Sequence, residues 1–378
     1  MYTKLFPVLL LAALCFGCGS QTSPSKTLTS VSPAPPTATP APPTDPSPAP
    51  PTPPSTTTPA APQKMVVLVI DENHDLSDVL ADMPWLVSQG NANGYAANYH
   101  SDNGGSLLDY LWLASGSCES NAECTLPASS NNFGCSGNSC TAPITDDNIF
   151  RELNKAGLTW KVYAQSYTAA GGTPTTPDKA NGTDYYRRHN GAVWYSDILS
   201  NVDNSAANVV DLSQLSTDIA KNSLPNFMII VPDGNHDAHD CPVGMTTCTT
   251  AQTLAAADQF LQANLGPILN TAPFQAGGDG LAFVTFDECS DGTDEGCNAN
   301  VYLGVIGPQV IPHTVSNAYY KHENTLRTML DALGVTTYPG ASASASDESD
   351  FFASEDKVMT AWLTGSFEDG RYHSSIWR

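Results

Sequence analysis

The sequence predicts an α/β fold, with a mostly parallel central sheet sandwiched by helices. Three apolar runs carry that expectation: "MVVLVI" at 65–70, "FMIIVP" at 227–232 and "LAFVTF" at 281–286. Each is unbroken and rich in β-branched or aromatic residues, which suits a strand buried on both faces. Helical patterns accompany them. "DDNIFRELNKAG" has acidic residues in its first turn and a glycine stop, and "TAQTLAAADQFLQANL" and "ENTLRTMLDALG" follow the same logic. Alternating strand and helix signals imply helices packed against a sheet.

Every one of the three runs turns abruptly polar. The first is followed by "DENHD", the second by "DGNHDAHD" and the third by "DECSDGTDE". In open α/β sheets, ligands bind beyond the carboxyl ends of the strands. The three clusters are therefore expected to meet at one edge. A single such cluster reads as an ordinary turn, whereas three clusters rich in Asp, Glu and His read as a site.

Between the first and second runs lies "GGSLLDYLWLASGS" at 104–117. Ser106 precedes an apolar helical pattern, which leaves two readings open. It can be an N-cap and nothing more. Alternatively it is a nucleophile, held where backbone N–H groups point at an incoming phosphate. Ser101, in "YHSDN", is a weaker competitor.

The opening "MYTKLFPVLLLAALCFGC" reads as a signal peptide over residues 1–18, too short for a spanning helix. Its final Gly-Cys resembles a bacterial lipobox, with Cys18 as the lipidated residue. Residues 19–63 are mostly Pro, Thr, Ser and Ala, a composition that cannot bury enough surface to fold and reads as a disordered stalk. Residues 64–338 are expected to form the catalytic domain. The tail 339–378 begins with the low-complexity "ASASASDES" and carries aromatics enough to pack back, with no functional account.

A net charge of −23 argues against nucleic acid and against docking on anionic lipid by charge alone. An acidic protein that handles an anionic substrate needs a local cation, and a metal is the natural candidate. Apart from Cys15 and Cys18, the cysteines fall as neighbours: Cys118 with Cys124, Cys135 with Cys140, Cys241 with Cys248, Cys289 with Cys297. In an exported chain these read as local disulfides, with zinc ligation as the rival. The sequon Asn181-Gly182-Thr183 is expected to stay unmodified in a bacterial lipoprotein.

Taken in order, several segments resemble a bacterial phosphoesterase family. That family contains secreted acid phosphatases and phosphatidylcholine-type phospholipases C, within the wider alkaline-phosphatase-like superfamily. The segments are "VIDENHDLSDV", "SLLDYLWLASGS", "DNIFRELNKAGLTWKVYAQS", "DYYRRHNGAVWYSDI", "LPNFMIIVPDGNHDAHD", "FVTFDECSDG" and "YYKHENTLRTMLDALG". The resemblance implies an alkaline-phosphatase-like fold and a residue-by-residue assignment. Glu72 and Asn73 match the metal-binding Glu-Asn pair, Ser106 the nucleophile, and Asp287 and Glu288 the later acidic ligands. Asp237, His239 and His322 fall where the superfamily places a second metal or a phosphate contact, with His236 and Asp240 in the same cluster. His189 matches a family histidine of unassigned role. His74, His100, His313 and His373 match nothing specific and are expected to be surface or structural.

The chain departs from the family where Gly105 and Leu108 replace prolines and Asp109 replaces an Asn beside the phosphate. A carboxylate there would repel phosphate unless protonated or bound to metal. The implied activity is hydrolysis of phosphate monoesters through a phosphoserine, with one divalent metal of unknown identity and His239 as proton donor. Two alternatives remain: a phospholipase C-type diesterase, whose branch usually reads Glu-Asn-Arg-Ser-Phe-Asp where this chain has "ENHDLSDV", and a non-catalytic surface binding protein. The expected location is outside the cytoplasm, anchored to a bacterial membrane at Cys18, or else periplasmic or extracellular.

Overall fold

All seven residues of "MVVLVID" are buried. Side chains alternate between the two faces of a strand, so a strand with no exposed residue must be covered on both. The computed structural model describes residues 64–102, 105–117, 135–136, 139–290 and 300–353, which fall within one compact unit. Its strands are β1 (Met65–Asp71), β2 (Gly94–His100), β3 (Cys135–Ser136), β4 (Ser139–Cys140), β5 (Trp160–Ala164) and β6 (Val209–Asp211). They continue with β7 (Phe227–Val231), β8 (Gly280–Phe286), β9 (Val301–Ile306), β10 (Thr314–Ser316) and β11 (Tyr320–Lys321).

The main sheet runs β10-β2-β9-β8-β1-β7-β5-β6, with β11 also on β2, while β3 and β4 form a separate hairpin. Within the main sheet, β9 is antiparallel to β2 and β8, and every other pairing is parallel. The mostly parallel α/β fold is thus confirmed. The three apolar runs are the three adjacent central strands β8, β1 and β7, and their carboxyl ends share one edge.

The helices are α1 (Leu76–Asp82), α2 (Pro84–Ala92), α3 (Leu107–Ser115), α4 (Ile149–Lys155), α5 (Tyr167–Ala170), α6 (Ser196–Leu199), α7 (Ser213–Ala220), α8 (Thr250–Leu269) and α9 (His322–Leu333). They pack in two groups: α8 against α1, α2 and α7, and α3 against α4 and α9, with α9 also on β1. Helix α8 starts on a capping box of Thr249 and Gln252, and α9 stops at Gly334 in the left-handed region that glycine tolerates. Every residue of α3 is buried. This helix is therefore held by packing on all sides.

The stretch 340–353 is tied to the body of the protein. Glu348 is fully buried and accepts a hydrogen bond from Thr325 Oγ1 at 2.6 Å, and its N–H donates to Thr328 Oγ1 at 2.9 Å. Phe351 is fully buried, and Phe352 bridges to Val310. Low-complexity composition there coexists with specific contacts to α9. Disulfides join Cys135 to Cys140 and Cys241 to Cys248, as the spacing suggested, and Cys289 is disulfide-bonded too. Cys118, Cys124, Cys297 and His373 lie outside the described residues, as do the proposed signal and stalk.

Candidate active site

Strand register builds the centre of the site. Asp71, the last residue of β1, pairs with Phe286, the last of β8. Glu72 and Asn73 therefore emerge beside Asp287 and Glu288, and the Asp287 N–H donates to the Asp71 carbonyl at 3.0 Å. Asn73 has a positive φ of 41°, a conformation Asn tolerates better than most residues. In that turn its N–H donates to Asp287 Oδ1 at 3.0 Å and its side-chain amide to Glu288 Oε1 at 2.6 Å. On the other flank, the Glu72 N–H donates to the Asp237 carbonyl at 2.8 Å, which joins the loop after β7.

Ser106 occupies the N-cap of α3 but makes no side-chain capping bond. Its hydroxyl donates instead to Glu72 Oε2 at 2.7 Å. One turn on, Tyr110 donates its hydroxyl to Glu72 Oε1 at 2.7 Å. Gly105 N–H donates to Glu288 Oε2 at 2.8 Å, so the approach to α3 is bound to the same carboxylates. Ser101 is fully buried at the end of β2, and Ser106 is the serine that reaches Glu72.

Residues 80–336 match the phosphoesterase family. The chain belongs to that family. Among relatives of the phosphoesterase, a probable acid phosphatase of Kluyveromyces lactis is 24% identical over 189 residues, covering 50% of this chain and 42% of that protein. An acid phosphatase of Aspergillus fumigatus is 26% identical over 266 residues, covering 68% of this chain and 52% of that protein. The chain spans about half the length of these curated relatives. An alkaline phosphatase superfamily protein from Vibrio parahaemolyticus is similar in structure, with a TM-score of 0.46, 13% identity, and coverage of 78% of this chain and 72% of that one. Glu72 and Asn73 precede the matched span.

His189 is fully buried between two of these carboxylates. Its Nε2 lies 3.2 Å from Glu72 Oε1 and its Nδ1 3.5 Å from Asp237 Oδ2, and Tyr110 stacks on its ring. Burial, more than any neighbour, holds its pKa well below the usual imidazole range, so it sits there neutral. His239 is more open. Its side chain retains 53% exposure and its Nδ1 lies 3.1 Å from Asp240 Oδ1. That contact with Asp240, ahead of Glu72 and Asp237, pushes its pKa up. Asp240 in turn accepts from Tyr186 at 2.5 Å and Lys179 at 3.0 Å.

Two expected members go elsewhere. His236 lies 3.2 Å from Asp233 Oδ1, bonds Gln165 and stacks on Phe260, so its partners come from outside the cluster. His322 does not join Asp237 and His239. β11 pairs with β2 rather than with β7, and this places His322 beside Asp109 and Asp102, 3.2 and 3.5 Å from its Nδ1. The unassigned histidines are structural: His74 bonds the Ala238 carbonyl, His100 stacks on Tyr319, and His313 bonds the Asn91 carbonyl.

The sequence assigns no role to Tyr110 or Asp102, and places Asp71 at the polar tip of β1 without a role of its own. Tyr110 stands four residues after Ser106, and i and i+4 share a helix face. Asp71 is fully buried, with neither carboxylate oxygen hydrogen-bonded. Burial and mutual repulsion push the carboxyls of Asp71, Glu72 and Asp287 well up, and burial raises Asp237 to about 6. Asp237 Oδ2 and Asp287 Oδ2 also lack hydrogen bonds. Buried carboxylates crowded this way call for a cation. The set of Glu72, Asn73, Asp287 and Glu288 offers hard oxygens of the kind a divalent metal takes, although the ligand atoms of its three carboxylates do not all lie within 4.8 Å of one another.

A cavity of about 300 Å³ opens beside this set, lined by Asn73, His74, Ala238, His239, Thr249 and Ser290 among others. Larger hollows, about 440 Å³ around Asp211 to Ser216 and about 520 Å³ around Lys64 and Asp279, contain none of the candidate residues. Chemistry rather than cavity size marks the site.

Proposed function

We propose that this phosphoesterase is an exported, metal-dependent phosphomonoesterase that forms a phosphoserine on Ser106. The observation that carries this reading is the Ser106 hydroxyl. It leaves its own helix uncapped to reach Glu72 at 2.7 Å, as a positioned nucleophile does and a simple cap does not.

Glu72, Asn73, Asp287 and Glu288 would hold the divalent metal, which when bound offsets the phosphate dianion and lowers the pKa of the serine hydroxyl. Glu72 orients Ser106 Oγ, and Tyr110 holds Glu72 in turn, with His189 Nε2 packed 3.2 Å from the same carboxylate. Ser106 Oγ passes its proton along its hydrogen bond to Glu72 Oε2, which returns it when the serine is released. Attack forms the Oγ–phosphorus bond as the ester bond breaks, and the leaving oxygen takes a proton from His239. His239 then takes a proton from the water that cleaves the phosphoserine. Its partial exposure beside the cavity suits contact with a departing group.

The names of the two fungal relatives support phosphomonoester chemistry. Export is supported by the disulfides Cys135–Cys140 and Cys241–Cys248, which persist in oxidising compartments. A lipid anchor at Cys18 would hold the domain on a membrane. No helix among the described residues is long and apolar enough to cross one.

The decisive assay is phosphate release from an aryl phosphate by the chain, with and without chelator, at pH 5 to 8. Turnover lost on chelation and restored by a divalent metal supports the proposal. Absence of turnover with every divalent metal, in a folded sample, rejects it. Release of phosphocholine from phosphatidylcholine at a rate tenfold or more above the monoester would make the diesterase reading the better one.

A further inference from the structure

We infer that Asp102, Asp109 and His322 form a second cation site, selective for a divalent transition metal, separate from the Glu72 set. The inference deepens the phosphoesterase reading and rests on it for its role, but not for the binding itself. It also departs from the expectation of a single metal.

Three elements converge here. The short β11 pairs with the end of β2 through Tyr320 with Tyr99 and Lys321 with His100. The next residue of each path, His322 on one and Ser101-Asp102 on the other, therefore comes out on the same side of the sheet edge. Asp109 arrives from the first turn of α3, which packs on α9. Among the described residues, this is the one group of His, Cys, Asp and Glu whose ligand atoms all lie within 4.8 Å of one another.

The second observation is the state of His322. It is fully buried, and neither ring nitrogen has a partner at hydrogen-bond geometry. The Phe286 carbonyl adds only the weakest of its contacts. Nδ1 lies 3.2 Å from Asp109 Oδ1 and 3.5 Å from Asp102 Oδ2, close but badly angled for a shared proton. A buried imidazole without a well-formed hydrogen bond, facing two carboxylates, has the arrangement of a ligand set.

Lys321 is the competing cation. Its Nζ lies 2.5 Å from Asp102 Oδ1, and the backbone N–H groups of His322 and Asp102 donate to Asp102 Oδ2 and Asp109 Oδ1 at 3.2 and 3.0 Å. These bonds position the two carboxylates, and the lysine neutralises one of them. Asp109 is also close enough to Asp287 for its charge to add to the repulsion on that carboxyl. One imidazole with two carboxylates favours Mn(II), Fe(II) or Zn(II) over Mg(II) or Ca(II). A cation bound there turns Asp109 from a carboxylate that repels phosphate into a ligand. It does so in the first turn of the helix that Ser106 begins.

The test uses the metal-stripped chain, reloaded with Mn(II) alone and titrated calorimetrically, with elemental analysis after desalting. The expected parent takes up two equivalents. H322A and D109N each lose one, E72A loses the other, and the double variant E72A/H322A binds none. D109N keeps shape and volume, so it carries the test if H322A fails to fold, and circular dichroism checks both. Full binding by folded D109N, or a single parental equivalent lost in E72A and kept in D109N, overturns the inference. Loss of one equivalent in D109N with none lost in E72A upholds the second site while rejecting the Glu72 set.

Discussion

Ser106 and Glu72 meet at 2.7 Å although 34 residues separate them. β1 delivers the carboxylate, the start of α3 delivers the hydroxyl, and Tyr110 takes the second carboxylate oxygen. Glu72 is thereby held from both sides, which fixes the direction in which Ser106 presents its oxygen.

Ser106→Ala is expected to lower kcat by at least about a thousand-fold while metal content stays at the parental value. Steady-state kinetics on an aryl phosphate, paired with elemental analysis, checks both halves. Retained turnover would remove Ser106 from the reaction. Lost metal would make it a ligand instead.

Tyr110→Phe keeps the ring that stacks on His189 and deletes the hydroxyl that bonds Glu72. Burial and the charge of Glu72 keep that phenol protonated, hence always a donor. Groups that orient a ligand carboxylate typically matter by about 10- to 100-fold in metal affinity or activity. Metal competition titration should show a loss of that order. An unchanged affinity and kcat would mean that Ser106 alone suffices to orient Glu72.

Asp258 on α8 accepts the N–H groups of Trp85 and Leu86 at 2.9 and 2.8 Å, capping α2 from across the fold. The local N-cap, Met83, has no side-chain acceptor to offer. Asp258→Ala should cost about 1–3 kcal/mol, because it strands the buried Leu86 donor and the half-buried Trp85 donor and removes a negative charge from a helix start. The repulsion that Asp258 exerts on Asp71 is the weakest of the three Asp71 feels, so relief of it offsets little. Urea unfolding is the measurement, and a stability equal to the parent's would refute the capping role.

Glu348 gives a stability prediction with a definite sign. Burial pushes its carboxyl from 4.5 up to about 8. The folded state therefore holds a proton that the unfolded state releases, and the stability this group contributes is full below pH 4.5 and lost as pH rises through 8. Glu348→Gln should match the parent near pH 4.5 and exceed it at pH 9, by on the order of 2–4 kcal/mol. Unfolding curves at the two pH values test it. A gap that does not change with pH counts against a neutral buried Glu348.

The three central strands, the helices α3, α4, α8 and α9 and the polar clusters at the strand tips were legible in the sequence, because they depend on local patterns. Unbroken apolar runs must be covered on both faces, and the polar residues that end them must emerge at the strand tips. Glu72, Asn73, Asp287 and Glu288 needed only that β1 and β8 run parallel and adjacent. The family resemblance implied that His322 would join Asp237 and His239, and left His236 open as ligand or spectator in their cluster. Strand order decided otherwise, by setting β11 on β2 and by turning His236 toward Asp233 and Phe260. The union of His322 with Asp109 and Asp102, the clasp of His189 between Glu72 and Asp237, and the capping of α2 by Asp258 all join residues distant in the chain. Such contacts follow from which elements become neighbours when the whole core packs, and no local run of residues carries that information.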